Sequence, residues 1–308
     1  MISVITPVFN GAQFIKETVE SVLESKNQLD IEYLVIDDGS TDLTLEILHE
    51  FGSAIKVISK PNGGESSAVN VGMEHSSGDI LLIVSADDPL PSNKIFNNAE
   101  KYFLENPDVV AWYPNWSIIN SEGKVIRIVD VDEFSEDLLI GRFRCLPGPG
   151  TLIRRDAALK IGGRNPKWTF VGDYDFWLRL SRVGVIKKRD ELAAQWRFHD
   201  QSTSISRRGL DMAMERVSVI EEFLGSNKID QQLQKRALAH AYYFAARLSF
   251  FDSKVDGKSL LRKAFASNKG EIEDGKFLVY LFIWTLPFSR IAARFFKPIL
   301  RRTGRALT

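Results

Sequence analysis

The sequence predicts an α/β domain built on a mostly parallel, doubly wound sheet, followed by a helical C-terminal region. Two observations predict it: short apolar runs alternate with amphipathic helical segments over the first hundred residues, and the last third of the chain has helical periodicity. The composition agrees, since 44% hydrophobic and 26% charged residues are ordinary values for a globular protein. A disordered, collagen-like or coiled-coil chain is therefore excluded.

The first hundred residues alternate between strands and helices in a regular order. Strands are expected at residues 2–8, 31–36, 55–59 and 80–84, and helices from residue 14, at 44–51 and at 66–74. Ligands of such sheets bind beyond the carboxyl ends of the strands. The site is therefore expected at four strand ends, residues 7–10, 37–40, 61–64 and 85–88.

After residue 106 the pattern becomes irregular. Strands are expected at residues 109–116 and 125–129, a turn at 121–123, and no regular structure at Pro147-Gly148-Pro149-Gly150. A helix is expected at residues 173–183, and three more at 210–224, 229–250 and 259–266. We therefore expect three parts: an α/β domain over residues 1–205, a helical domain over 206–275 and a tail over 276–308.

The expected tail differs in charge from the rest of the chain. The whole chain has 40 basic and 40 acidic residues, so its net charge gives no argument for a nucleic-acid partner. Residues 276–308 contain seven basic and no acidic residues, and their apolar run at 278–288 is shorter than the ~20 residues of a spanning helix. Apolar and basic residues then recur together, which is typical of an amphipathic helix on an anionic membrane surface. A helix docked on the helical domain is the alternative.

A few residue types restrict location and metal chemistry. The N-terminus has no charged segment before an apolar core, so we predict no secretory signal and a cytoplasmic protein, peripheral on the inner face of the cell membrane. The single cysteine, Cys145, excludes an internal disulfide framework and a cysteine-based metal site. The four histidines show no paired metal-ligand spacing.

Two carboxylate pairs follow strands of the predicted sheet, Asp37-Asp38 and Asp87-Asp88. A single pair would be explained by a helix cap or a turn. Two pairs at one edge repel each other unless a cation or hydrogen-bond donors compensate them. Because hard divalent cations bind carboxylate and phosphate oxygens together, the pairs predict a site for a metal with a phosphate ligand.

Five segments resemble, in order and in spacing, the motifs of family-2 glycosyltransferases with the GT-A fold. They are SVITPVFNG at residues 3–11, VIDDGSTD at 35–42, NGGESSAVNVG at 62–72, ADD at 86–88 and GDYDFWLRL at 172–180. The resemblance covers residues 1–205 and implies a catalytic domain whose donor is a nucleotide sugar, usually a UDP-sugar. It also implies a glycan or lipid-linked acceptor and a role in polysaccharide biosynthesis.

The resemblance implies a set of nucleotide-binding residues. Asp38 would accept a hydrogen bond from the base, and Asp87 would hold the ribose or the metal. Gly63 and Gly64 would let the backbone pass close to the nucleotide, because they lack a Cβ. The full set is Pro7, Val8, Phe9, Asn10, Asp38, Asn62, Gly63, Gly64 and Asp87.

The resemblance also implies the catalytic and metal-binding residues. Asp88 would ligate Mn²⁺ or Mg²⁺ bridging the donor diphosphate, and Asp87 and His199 are the further candidate ligands. Asp173 would be the general base that takes the proton of the acceptor hydroxyl, in one displacement that inverts the anomeric carbon. For His199, a metal ligand, a phosphate donor and a structural histidine are all open.

Two departures from the family motifs leave an alternative, a degenerate sugar- or nucleotide-binding scaffold that kept the fold without turnover. Ser85 stands where many relatives have a first aspartate, and Gly172 stands where many have an acid before the base. Other classes of protein lack their signatures. A nucleotide-binding oxidoreductase would have Gly-x-Gly-x-x-Gly after the first strand, where this sequence has one glycine. The sequence also has neither the Walker lysine motif of P-loop proteins nor the Gln-x-x-Arg-Trp motif of processive polysaccharide synthases. The sequence therefore favours a glycosyltransferase.

Overall fold

The computed structural model describes residues 1–26, 29–199, 209–249, 256–268 and 270. The chain divides into two compact units, Met1–Ser135 with Cys145–Arg207, and Glu136–Arg144 with Arg208–Thr308. The expected boundary at residues 205–206 and the expected membrane-associated tail over 276–308 lie outside the described residues. Glu136–Arg144 belongs to the second unit although the first surrounds it in sequence, which no sequence pattern had indicated.

Over about the first hundred residues, the first unit contains strands and helices in alternation, as the sequence predicts. The strands are β1 (Ile2–Val8), β2 (Ile31–Asp37), β3 (Lys56–Ser59), β4 (Ile80–Ile83), β5 (Val109–Ile119), β6 (Val125–Val129), β7 (Leu152–Arg154) and β8 (Val185–Arg197). The helices are α1 (Ile15–Lys26), α2 (Thr44–His49), α3 (Glu65–His75), α4 (Ala99–Glu105), α5 (Arg155–Lys160) and α6 (Gly172–Leu180).

The strands form one sheet in the order β3-β2-β1-β4-β7-β5-β6, and β8 pairs with β5. β1 to β4 are parallel, β7 is antiparallel to both β4 and β5, and β8 is parallel to β5. β5 and β8 therefore run in the same direction as β1 to β4. The carboxyl ends of these six strands meet at one edge of the sheet, where ligands of doubly wound sheets bind.

β1 lies in the middle of the parallel strands and is buried along its whole length. Val4 pairs with Tyr33 of β2 and with Leu82 of β4. A strand with no solvent-facing side favours an almost continuous apolar sequence, as β1 has. The hydrophobic core that includes these strands extends to Leu48 of α2 and Phe103 of α4.

The predicted α/β fold with a mostly parallel sheet is confirmed, but the sequence pattern did not reveal α4, α5 and the short strand β7, nor the long strand β8. Its first half contains the charged residues 187–191, which hide the apolar alternation of an ordinary strand. It is a strand because its backbone pairs with β5 from Val109↔Val185 to Ile119↔Arg197. Its carboxyl end delivers Arg197 and His199 to the edge of the sheet where the predicted site lies.

The described part of the second unit is helical. It contains α7 (Leu210–Ser226), α8 (Gln231–Ser249) and α9 (Gly257–Ser267), and small buried alanines of α8 permit close packing. The π-helical turn Asp137–Gly141 belongs to this unit, and Asp137 forms an ion pair with Arg236 of α8. None of the described helices is long and apolar enough to cross a lipid bilayer.

Candidate active site

The loop after β3 is folded around the carboxylate of Asp38, which is buried directly after β2. Its Oδ2 accepts hydrogen bonds from the backbone N–H groups of Gly63 at 3.2 Å and Gly64 at 2.8 Å. Its Oδ1 accepts from the Gly63 N–H at 3.0 Å and from the Lys60 ammonium. Three donors thus compensate the carboxylate, and the exposed residues 61–64, which include Asn62, are held at the edge of the sheet.

Of the four nucleotide-binding residues that the sequence predicts at the end of β1, only two are exposed to solvent. Pro7 and Val8 are buried in β1, whereas Phe9 and Asn10 are exposed. The Asn10 N–H donates to Ser40 Oγ at 2.9 Å, and its φ of 51° is one that asparagine tolerates better than most residues. The loops after β1 and β2 are therefore joined, and Phe9 and Asn10 are the members whose side chains a ligand can reach.

Asp87 and Asp88 follow β4 at the same edge. Asp88 is buried, and its Oδ1 accepts a hydrogen bond from the Arg197 N–H at 2.7 Å. Burial raises the pKa of Asp88 well above its ordinary value, and the neighbouring Asp87 carboxylate raises it further. The ionised form of Asp88 is therefore unfavourable at this position unless positive charge compensates it.

The structure brings His199 to Asp87, from which it is separated by 112 positions in sequence. His199 Nε2 lies 2.9 Å from Asp87 Oδ2, and the side chain of Asp87 is 28% exposed. The imidazole ring also packs against Phe14, with ring centroids 4.8 Å apart. His199 therefore lies beside the acidic pair, in contact with Asp87.

Arg197 joins several parts of this site, and sequence reasoning did not identify it as functional. It is 1% exposed, and its Nη2 pairs with Glu17 Oε2 at 2.6 Å. Its Nε donates to the Asp87 carbonyl at 2.8 Å, and its Nη1 donates to the Ser121 carbonyl at 3.0 Å. Arg197 therefore fixes α1, the acidic pair and the β5–β6 turn to the end of β8. Its position two residues before His199 was the available signal.

Asp173 is exposed in the first turn of α6. The start of α6 packs closely on the start of α3, because a Cβ on Gly172 would lie 2.6 Å from Ser66 Oγ. Since α3 begins directly after Gly64, Asp173 lies at the same edge as the glycine loop. Trp177, one turn further along α6, is buried.

A second buried arginine, Arg164, links the loop before α6 to α3. Its Nη1 pairs with Glu65 Oε1 at 2.6 Å. Asn70 makes two reciprocal hydrogen bonds to the Arg164 backbone: Oδ1 accepts from the N–H at 2.8 Å, and Nδ2 donates to the carbonyl at 2.7 Å. A Cβ on Gly163 would lie 2.4 Å from Asn70 Oδ1, and its φ is +68°, so glycine is required there. The sequence pattern did not signal these contacts.

The acidic pair suits a hard divalent cation in its donor chemistry. Carboxylate oxygens are the ligands that Mn²⁺ and Mg²⁺ prefer, and a cation would offset the unfavourable ionisation of Asp88. Asp87, Asp88 and His199 do not, however, form a three-residue metal cluster, and no such cluster occurs in the described part of the chain. The Asp88 Oδ1 is engaged by the Arg197 N–H instead. A cation at the pair would therefore need further ligands from the substrate.

Comparisons with known proteins agree with this geometry. The model of the family "Glycosyl transferase family 2" matches residues 3–158. An uncharacterized glycosyltransferase of Rickettsia typhi is 32% identical over 213 residues, which span 66% of this chain and 66% of that protein. S. aureus TarS 1-349 in complex with UDP-GlcNAc has a TM-score of 0.65 at 17% identity, over 86% of this chain and 79% of that one. Mannosyltransferase PcManGT of Pyrobaculum calidifontis, in complex with GDP-Man and Mn²⁺, has a TM-score of 0.56 at 16% identity, over 96% and 86%.

The family match includes both acidic pairs and the glycine loop, and it ends before Asp173 and His199. It spans just over half of the chain. The likeness to the solved structures, at 16–17% identity, shows the fold. The chain belongs to glycosyl transferase family 2 and is a glycosyltransferase with the GT-A fold.

Proposed function

We propose that this glycosyltransferase moves a sugar from a UDP-sugar to a hydroxyl group of a glycan or lipid-linked acceptor, with inversion of the anomeric carbon and with Mn²⁺ or Mg²⁺. The observation that carries the proposal is the meeting of three groups at one edge of the sheet: the loop bound by Asp38, the acidic pair Asp87-Asp88 and the exposed Asp173. A nucleotide sugar has a base, a charged diphosphate and an electrophilic carbon, and each group suits one of these parts.

The nucleoside would lie against the loop of Gly63 and Gly64, with Phe9 and Asn10 beside it. The absence of side chains on the two glycines leaves room for a close approach. Asp38 already accepts hydrogen bonds from Gly63, Gly64 and Lys60, and an ionised carboxylate has about four acceptor positions. Because the Gly63 N–H is shared between both oxygens, a base N–H would take one of the two acceptor positions that it occupies or replace Lys60.

The diphosphate would lie at the acidic pair, which would hold the cation through Asp88 and Asp87. A bound divalent cation supplies a Lewis acid that stabilises the leaving diphosphate. The Arg197 backbone orients Asp88, and the Arg197 guanidinium is engaged by Glu17 and by backbone carbonyls. His199 at Asp87 would orient that carboxylate or serve as a further ligand.

The transfer is a single displacement. The acceptor hydroxyl gives its proton to the carboxylate of Asp173, and its oxygen forms the new bond to the anomeric carbon. The bond from that carbon to the diphosphate oxygen breaks, and the electron pair leaves with the nucleoside diphosphate. One displacement inverts the configuration. Exposure of Asp173 suits a base that an acceptor has to reach from solvent.

The solved relatives support the donor class and the cation. TarS 1-349 is in complex with UDP-GlcNAc, and PcManGT is in complex with GDP-Man and Mn²⁺. Both are nucleoside diphosphate sugars, which agrees with a site that combines an acidic pair with a glycine loop. We choose uridine over guanosine because, in the family that this motif resembles, the aspartate at the position of Asp38 usually binds uracil.

A panel of UDP-sugars and GDP-sugars tests the proposal through the release of nucleoside diphosphate, measured with Mn²⁺ and with EDTA. We expect slow hydrolysis of one UDP-sugar that requires the metal and accelerates when an acceptor glycan is added. Full turnover in EDTA would contradict the metal requirement. Binding of UDP without turnover of any donor would favour the scaffold alternative that Ser85 and Gly172 leave open.

A further inference from the structure

β6 is an edge strand with an unusual surface. Within the described part of the chain it pairs with β5 on one side, and no strand follows it in the sheet order. Val125, Ile126 and Ile128 are 58%, 57% and 61% exposed. Natural edge strands usually carry charges, proline or bulges that prevent further pairing. β6 has one charge, Arg127, and its register against β5 shifts between Ile118 and Ile119, but its other four residues are β-branched and apolar, a composition that favours strand pairing.

The sequence of β6 is self-complementary. Residues 125–129 read VIRIV, which is a palindrome centred on Arg127. If two copies of this strand pair in antiparallel fashion about Arg127, Val125 faces Val129 of the second copy and Ile126 faces its Ile128. Lys124 then faces Asp130 of the second copy, so opposite charges meet at both ends of the paired segment. A two-fold contact requires this reciprocity of residues.

The charged residues at the two ends are free to change partners. Lys124 pairs with Glu122 at 2.8 Å and Asp130 with Lys188 at 3.0 Å, and the side chains of Lys124, Glu122 and Asp130 are all highly exposed. An exposed ion pair such as Lys124–Glu122 contributes little to stability, whereas in the Asp130 pair the side chain of Lys188 is only 10% exposed. Lys188 also keeps a second partner, Asp190, at 3.0 Å. Pairing between two copies therefore costs little in lost contacts.

We propose that this protein forms a two-fold symmetric dimer in which β6 pairs with β6 of a second copy, in the register centred on Arg127. The occupant of the free edge is a second copy of this chain, because the apolar pattern and the terminal charges of residues 124–130 complement themselves. The contact joins two sheets into one continuous sheet. It is independent of the proposed donor and acceptor, since none of these residues belongs to the candidate active site.

Sedimentation velocity of the full chain over a range of concentrations tests the dimer. A reducing agent is included because Cys145 is exposed and would otherwise be able to form an intermolecular disulfide. We expect a concentration-dependent dimer. Ile126→Lys should make the protein monomeric, because it places a charge among the paired apolar residues. Leu104→Lys is the matched control, since Leu104 is 83% exposed on α4 and lies outside the contact; it should leave the dimer unchanged.

Charge reversal tests the register. Lys124→Asp should raise the dissociation constant about tenfold, because the two symmetric ion pairs become repulsive contacts. The double variant Lys124→Asp/Asp130→Lys should restore the original dissociation constant. Arg127→Thr should lower it, because like charges directly opposite each other are destabilising and this register places the two Arg127 residues at the axis.

Three results would overturn the proposal: a monomer at every concentration, a dimer that persists in Ile126→Lys, or a double charge variant that fails to recover while its thermal unfolding and circular dichroism match the unchanged protein. Binding of UDP is measured on the same variants. Loss of UDP binding in a variant would indicate general misfolding. A variant that loses the dimer but still binds UDP would show that the dimer contact and donor binding are independent.

Discussion

At the scale of single residues, Asp173 differs from the buried acids Asp38 and Asp88 of the site because it is exposed. Asp173→Asn should keep UDP binding and lower sugar transfer by about 100-fold, the usual scale for loss of a general base. Transfer kinetics and calorimetric UDP binding measure the two effects separately.

Asp156→Asn is the matched control for Asp173→Asn. Both aspartates lie in the first turn of a helix, and in both Oδ1 accepts from the next backbone N–H, at 2.6 Å for Asp156 and 2.7 Å for Asp173. The control therefore repeats the effect on the helix terminus without the chemistry. An equal loss of UDP binding and transfer in Asp173→Asn would assign Asp173 to the donor site instead.

The sequence predicted those site residues that lie in recognisable motifs, and the structure brings several of them into contact. Asp38 bonds to Gly63 and Gly64, and Asp87 lies at His199. It did not reveal Lys60, Arg164 or Arg197, because their roles depend on partners far away in the chain. Arg197 reaches Glu17 across 180 positions, and no local pattern specifies such a partner.

At the scale of elements, the contact between α3 and the loop before α6 depends on Asn70. Asn70→Ala leaves the N–H and carbonyl of the buried Arg164 without these partners, so the free energy of unfolding should fall by about 1–3 kcal/mol. Because this loop leads to Asp173, transfer should fall about tenfold or more while UDP affinity changes little.

Urea unfolding and steady-state kinetics check the Asn70 prediction. Asn106→Ala is the control, since Asn106 Nδ2 donates one hydrogen bond to the Tyr102 carbonyl at the end of α4, away from the loop. If Asn70→Ala lost stability but kept full transfer, the contact would be structural only and would not position Asp173.

Glu32 of β2 ties the amino edge of the sheet together and should give stability a dependence on pH. Burial alone would raise its pKa, but hydrogen bonds from Ser3 and from Ser77, whose N–H lies at 2.7 Å, outweigh burial, so the pKa of Glu32 is lowered. A carboxylate whose folded pKa is lowered stabilises the protein above its unfolded pKa of about 4.3, and that stability is lost as the pH falls through the folded pKa.

Glu32→Gln removes this titration. The variant should be less stable than the unchanged protein near neutral pH, and its free energy of unfolding should fall less between about pH 6 and pH 3. Denaturant titrations at several pH values measure the difference. Identical pH profiles for the two proteins would show that Glu32 does not contribute in this way.

The strands and helices with clear periodicity were predicted to within a few residues. The helix expected at 173–183 ends at Leu180, and the strand expected at 109–116 continues to Ile119. β8 was not predicted because its structure depends on pairing with β5, whereas its charged sequence gives no sign of a strand. Tertiary contact determined this element, which local patterns cannot report.

At the scale of the whole molecule, the C-terminal segment remains a prediction from sequence. Residues 276–308 have seven basic and no acidic residues, interleaved with apolar ones, and we propose that they bind an anionic membrane surface. Removal of residues 288–308 should leave UDP binding intact and abolish sedimentation with anionic vesicles. A full-length protein that ignores such vesicles at low salt would contradict the proposal and favour a helix docked on the protein.

UDP binding with and without Mn²⁺ tests the acidic pair most directly. A ligand that binds only the folded state raises its stability, so UDP should raise the melting temperature more with Mn²⁺ than with EDTA. Asp88→Asn keeps an oxygen for the Arg197 N–H and should fold, but it should lose the metal-dependent part of the shift. Asp79→Asn, whose side chain is 93% exposed, should behave like the unchanged protein. A full metal-dependent shift in Asp88→Asn would contradict the assignment of this site.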